Sequence, residues 1–256
     1  MKKILFVSFL IIFLILVLSS GYHNNPKIII SRLFKTSNIR EPAELRYIVY
    51  FLGIIPIGDA VFYPARIEDF AGGKVYHLRA TAKTSRFFPR FFSAEVSLDS
   101  FVDIHRLNPL LYRQKLTAAG RKDINEEIIY NHKECFMSMA GVKRQISPNT
   151  QDPLTSMFNI MHMDLEKIKE FQMDINAHKK NYILKTNIQE KRLTINNKVY
   201  KTYFLKGMVF RQDKNPYHRS SFTFVLLKQN SNIPLLIKVF SGGISIKARL
   251  AGIKED

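Results

Sequence analysis

From Leu45 onward, apolar residues recur mostly at every second position, the period of a strand with one buried face. Tyr76, Leu78, Ala80 and Ala82 alternate with His77, Arg79, Thr81 and Lys83. Phe92, Ala94, Val96 and Leu98 alternate with Ser93, Glu95, Ser97 and Asp99, although the start of that stretch also fits a helix. In the last third, Tyr182, Leu184, Thr186 and Ile188 share one face, Phe222, Phe224 and Leu226 another, and Leu235, Ile237 and Val239 a third. The Asn-Asn pair between Ile195 and Lys198 predicts a two-residue hairpin. Gly242-Gly243 turns the chain into residues 244–250, which alternate cleanly. About a dozen strands joined by short turns predict an antiparallel meander, dry on one face and wet on the other.

Two places break the rhythm. The stretch Phe51-Leu-Gly-Ile-Ile-Pro-Ile-Gly-Asp-Ala-Val-Phe62 places two glycines and a proline in a greasy run. Residues 45–51 and 57–67 each alternate, so the interruptions mark a hairpin or sharp bend between two strands, the device by which a sheet curls. Asp152-Pro153 opens the one convincing helix, Asp as N-cap and Pro at the first helical position. Leu154, Met157, Phe158 and Met161 then fall on one helical face. The expected fold is mainly β: a single strongly curved antiparallel meander over residues 45–252, an open or nearly closed barrel, with one main covering helix. Its concave face, lidded by residues 152–163, is expected to hold an apolar or lipid-like ligand against Tyr47, Val49, Phe51, Met157, Phe158 and Met161.

Composition supplies a compartment. Lys2 and Lys3 precede residues 4–18, apolar but for Ser8, and Ser19-Ser20-Gly21 offers a cleavage site. Fifteen helical residues span about 22 Å, short of a bilayer core of about 30 Å. Residues 1–21 are therefore read as a signal peptide or an N-terminal membrane anchor, and residues 22–44 as a tether. No cysteine follows the run to carry a lipid; Cys135 is the sole cysteine, so no intramolecular disulfide forms. The net charge is +18, or +16 once Lys2 and Lys3 leave with a cleaved signal. In the cytosol such charge suggests nucleic acid. Outside it the available polyanions are an anionic membrane surface or an acidic envelope polymer, and no nucleic-acid partner is expected. Lysine spread along the chain also reads as a merely solvating surface.

No catalytic residue, metal site or cofactor motif emerges. The seven histidines, His23, His77, His105, His132, His162, His178 and His218, have no zinc spacing with one another or with Cys135. Gly72-Gly73-Lys74 lacks the rest of a phosphate loop and reads as a turn, and no nucleophile elbow occurs. Asp99 and Asp103, four apart on a strand, lie about 13 Å from each other, too far for a glycosidase pair. Two features invite a functional reading. Arg86, Phe87, Phe88, Arg90, Phe91 and Phe92 surround Pro89 and form either a loop folded into the core or a lip at a cavity mouth or membrane. Met137, Met139, Met157, Met161, Met163 and Met173 read as core filler or as a deformable ligand wall.

The residues also carry a resemblance. Glu44-Leu-Arg-Tyr-Ile-Val-Tyr-Phe-Leu-Gly-Ile-Ile-Pro-Ile-Gly58 is similar to the opening strand pair of the bacterial family "domain of unknown function 3108". Ser100-Phe-Val-Asp103 with Pro109, Gln151-Asp-Pro-Leu154, and Ile233-Pro234 with Gly243-Ile-Ser-Ile resemble its later motifs, so the likeness runs from about residue 43 to 250. It implies an exported cell-envelope protein and carries over no catalytic residues. Its implied architecture is analogous to the curved sheet of periplasmic lipoprotein carriers. The expectation is a periplasmic, non-enzymatic binding protein. The first rival is a structural or assembly protein of the envelope, solid inside, that binds through its surface; a hydrolase acting on an envelope polymer is a distant third.

Overall fold

The computed structural model describes residues 44–85, 93–177, 180–195, 197–212, 220–228 and 232–254. The first half of the sheet comprises β1 (Glu44–Phe51), β2 (Ile55–Phe62), β3 (Arg66–Phe70), β4 (Gly73–Thr84), β5 (Ala94–Asp103), β6 (Pro109–Ala118), β7 (Ile124–Asn131), β8 (Phe136–Met139) and β9 (Val142–Gln145). One helix, α1 (Pro153–His162), follows among the described residues. The second half comprises β10 (Glu170–Ala177), β11 (Lys180–Ile195), β12 (Lys198–Arg211), β13 (Ser220–Leu227), β14 (Ile233–Ser241) and β15 (Ile244–Lys254).

All fifteen strands form one antiparallel sheet in the order β10-β11-β12-β13-β14-β15-β1-β2-β4-β5-β6-β7-β8-β9, with β3 attached to β4 alone. Nearly every pairing is between chain neighbours. The exceptions are β2 with β4, which passes over β3, and β1 with β15, from Glu44↔Lys254 to Phe51↔Ile246, which joins the two halves. The sheet curls without closing. Its seam is held by a parallel bridge between Gln151 and Ile175, with the Gln151 and Asn176 amides donating to Asp174 and Gln151 carbonyls at 2.8 Å each. Asn181 Nδ2 donates across it to the Gln145 carbonyl at 2.8 Å. β9, at one border, is four residues long, fully exposed and carries Lys143 and Arg144. Short, charged edges resist pairing with another chain.

The interruptions in residues 51–62 do shape this curve. Leu52 and Gly53 both have positive φ, 50° and 76°, and the Ile54 amide donates to the Phe51 carbonyl at 3.2 Å. That is the primed turn whose twist suits a hairpin. Past it, the β1–β2 register slips between Val49 and Tyr50, because Pro56 and Gly58 face those residues and leave Ile57 as a bulge. A Cβ on Gly58 would lie 2.1 Å from the Lys83 carbonyl oxygen, so only glycine lets β4 approach β2 this closely.

Two expectations require correction, and one open alternative is settled. Residues 57–67 are not one strand. The ladder lapses at Tyr63-Pro64-Ala65, where proline offers no amide, and β3 continues only as an outrigger on β4. The stretch after residue 93 is strand from Ala94, not helix. Finally, α1 buries more than the one apolar face expected of it. All its residues from Leu154 to His162 are buried, and it touches β4, β5 and β10 inside the curl. Nothing in Pro153–His162 is formally charged except His162 when protonated, so the helix accepts burial all round.

Replacing Gly58 by Ala is expected to lower unfolding stability by about 2–3 kcal/mol, the scale of overpacking against backbone. Urea denaturation measures it; an unchanged midpoint rules out the close β2–β4 approach.

Candidate functional site

Among the described residues, the concave face is packed with the protein's own side chains. Tyr47 and Val49 are buried in the core, and the Tyr47 hydroxyl donates to the Pro234 carbonyl at 2.9 Å. Burial pushes that phenol's pKa far up. Phe51 packs half-buried against the same core. Met157, Phe158 and Met161 meet Leu45, Phe62 and Leu78 around a small cavity beside Tyr63, Pro64 and Arg79. Of the six expected lining residues, the three helical ones share this cavity; Tyr47 reaches it only through its edge-on contact with Phe62, while Val49 and Phe51 do not line it. Its volume is about 40 Å³, room for about three waters. Small-molecule pockets run to roughly 300–1,000 Å³. All six clustered methionines are buried and serve as filler.

The polar face of α1 meets polar partners. Asp152 accepts the amides of Leu154 and Thr155 at 2.7 and 2.8 Å, and the hydroxyls of Ser100 and Thr155 at 2.6 and 2.7 Å. Burial raises its pKa, and these hydrogen bonds oppose the rise. Asn159 Nδ2 donates to the Leu107 carbonyl at 3.1 Å and Gln151 Oε1 at 3.0 Å. At the other end, the Asn232 amide and side chain donate to the Met161 and Met163 carbonyls at 2.8 and 2.9 Å. Ser100 and Asp152 are fully enclosed, so this hydroxyl–carboxylate pair clamps a helix and has no path to a substrate. His132 and His162 are held neutral by burial, which lowers both pKa values.

A second polar group lies on the outer face. His77 places Nε2 2.9 Å from Asp99 and Nδ1 3.1 Å from Glu68, and stacks on Phe101 with ring centres 4.4 Å apart. The Asp99 hydrogen bond raises the imidazole pKa most, the Glu68 bond adds to it, and burial opposes both. Asp99 therefore pairs with His77, whereas Asp103 only caps a turn through the His105 and Arg106 amides. Among the described residues, no three His, Cys, Asp or Glu side chains are arranged to hold a metal ion. No described helix is long and apolar enough to cross a membrane. Cys135 is half-buried in the β7–β8 turn, its thiol donating to the His132 carbonyl at 3.7 Å.

The charge is not scattered. Residues 44–177 hold seventeen Lys and Arg against sixteen Asp and Glu, whereas residues 180–254 hold fifteen against two. Its described residues, β11–β15 with their connections, carry thirteen of those bases and one acid, so much of the excess charge lies on five adjacent strands. Lys206, Thr223, Lys238, Lys247 and Tyr50 are successive cross-strand partners on β12, β13, β14, β15 and β1. Lys206 and Lys238 are exposed, Lys247 partly so, while the alternating Leu205, Ile237, Ile246 and Ala248 point into the core. Lys238 directly opposes Lys247, a juxtaposition that costs stability. No carboxylate of the described residues pairs with Lys206, Lys238 or Lys247. Phe51↔Ile246 puts the β1–β2 turn, with exposed Leu52, Ile54 and Ile55, beside the start of β15. The alternation count misses both features, because neither the row nor the neighbouring turn exists until the strand order is known.

The expected mouth residues Arg86, Phe87, Phe88, Arg90, Phe91 and Phe92 lie outside the described residues, as do residues 1–21 and all of the tether but Glu44.

Residues 46–249 match the family described as "Protein of unknown function (DUF3108)". No curated protein matches the chain. Among solved structures it is similar to a beta-barrel-like protein of domain of unknown function DUF1849 from Brucella abortus, at 12% identity and TM-score 0.54, covering 82% of this chain and 96% of that one. At that identity the likeness is one of fold.

Two outcomes test this geometry. Asp152→Ala removes a cap and strands four donors, so unfolding stability is expected to fall by about 3 kcal/mol, and by about 1 kcal/mol in Asp152→Asn; equal losses in calorimetry would contradict the clamp. Because the folded pKa of His77 is raised, its stabilisation is complete below about pH 6.5 and fades as pH rises through the folded value. The urea midpoint of wild type relative to His77→Gln should therefore be higher at about pH 5.5 than at about pH 8.5; a pH-independent difference contradicts the pairing.

Proposed function

We propose, from the premise that the chain belongs to the DUF3108 family, that it is an exported, non-enzymatic protein of the bacterial cell envelope that binds another envelope component through its outer surface. The observation that carries this reading is the occupied interior: α1 and its neighbours leave about 40 Å³ where a guest molecule needs roughly 300 Å³ or more. Export is supported by the charged, apolar and small-residue succession of residues 1–21. Surface binding is supported by Lys206, Lys238 and Lys247 on β12, β14 and β15, with which no carboxylate of the described residues pairs, and two of which oppose each other at a cost in folding energy. The non-enzymatic reading is supported by the enclosure of Ser100 and Asp152 and by the use of His77, Asp99 and Asp103 in local pairing.

The competing carrier reading needs α1 to vacate the curl and Met157, Phe158 and Met161 to line the space left behind. Native mass spectrometry of protein extracted from membranes separates the two. The proposal expects the mass of the polypeptide, alone or with a macromolecular partner. A stoichiometric apolar small molecule, lost when α1 is tethered to β5 by an engineered disulfide, would overturn it. Fusion of residues 1–44 to a reporter active only outside the cytosol tests export; an inactive reporter overturns that part.

A further inference from the structure

Resting on the surface-binding reading, we infer that the partner is an anionic phospholipid surface, and that the chain docks on it with the β1–β2 end of the sheet. The argument begins with a turn whose composition folding does not require. A primed hairpin turn needs positive φ at its two central residues, which Asn-Gly or Asp-Gly supplies. Here Leu52 takes φ 50° ahead of Gly53, and Ile54 and Ile55 follow. Leu52, Ile54 and Ile55 are 49%, 76% and 43% exposed, three large aliphatic side chains in four residues at the tip of a hairpin. None of them faces the core cluster. Phe240, 46% exposed, lies two residues before the Gly242-Gly243 turn, and the Phe51↔Ile246 pairing sets that turn beside the hairpin.

The basic row stands just behind this tip. Tyr50 pairs with Lys247, Lys247 with Lys238, and Lys206 reaches the row through Thr223, with steps of about 4.8 Å between strands. Lys247 is three residues into β15, so the row lies about 10 Å from the turn. Lys247 Nζ lies 4.8 Å over the ring of Tyr50, its cross-strand partner. Aliphatic side chains at the leading edge with unpaired ammonium groups about 10 Å behind match the depth order of a bilayer face, acyl boundary first and phosphates next. A soluble acidic polymer would satisfy the lysines and leave the tip wet. A second protein copy would cover the tip and leave the lysines facing one another. The lipid surface answers both features at once.

The test uses the full chain with Cys135→Ser and a nitroxide on Ile54→Cys, mixed with vesicles of phosphatidylcholine alone or with phosphatidylglycerol. His105→Cys, in the β5–β6 turn at the opposite end of the sheet, carries the control label. The expected result is that oxygen access relative to a water-soluble nickel chelate rises severalfold at position 54 on phosphatidylglycerol vesicles only, and stays unchanged at position 105. Lys238→Glu with Lys247→Glu should raise the lipid concentration for half-immersion at least about tenfold, given the per-charge attraction of such surfaces. A tip that stays wet on phosphatidylglycerol vesicles overturns the inference, including the case in which an added acidic polysaccharide occupies the lysine row. So does a tip protected before any vesicle is added, or one immersed equally in neutral vesicles. The local label reads the tip whether or not residues 1–21 also enter the bilayer. Since nothing in the measurement depends on the interior or on export, its failure is distinct from a failure of the surface-binding reading.

Discussion

The structure depends on one arrangement: an uncharged helix sunk into the hollow of a curled sheet, with hydrogen bonds clamping it at both ends. A helix with side chains is about 10–12 Å across, and the sheet must bend around that diameter. Asp152 fixes where it enters. Its carboxylate gathers two helix amides and two hydroxyls, one of them on β5, so the same atoms cap the helix and attach it to the sheet. Asn232 holds the other end from the β13–β14 connection. Apolar contact by Leu154, Met157, Phe158 and Met161 supplies the burial; the polar clamps set register and rotation.

The outer face of the sheet has two characters. The first-half strands balance their charges locally, as in Arg113 with Glu127 and His77 between Glu68 and Asp99. The second-half strands do not. Lys228, with Glu166 and Glu190, is one of the few basic residues there given acidic company. Like charges placed side by side on a sheet weaken it, so a row of them reads as a feature kept for something other than stability.

Much of this was legible in the chain. Period-two alternation identifies the strands, Asp152-Pro153 the helix start, and the glycines and proline of residues 51–62 the site of bending. The all-round burial of α1 was legible in principle, since Thr155, Ser156, Asn159 and His162 are small or neutral where a wet face would carry Lys or Glu. A single amphipathic stripe obscured it. The β1–β15 pairing was not legible, because it joins residues two hundred positions apart with no local signature. Everything that depends on strand order stayed hidden with it: the lysine row, the turn beside β15, and the small size of the cavity. The outrigger β3 was hidden for another reason. Alternation runs on through Pro64, and only the missing amide shows that the ladder does not.

The position of β15 has a temporal consequence. The final strand, eleven residues long, lies in the middle of the sheet, with the whole N-terminal half on one side and the C-terminal half on the other. β15 is made after every other described strand, so β1 keeps an open flank until it arrives, although the Gln151–Ile175 bridge and the contacts of α1 with β4, β5 and β10 can already hold the halves together. A polypeptide built this way cannot complete its sheet before β15 has been made.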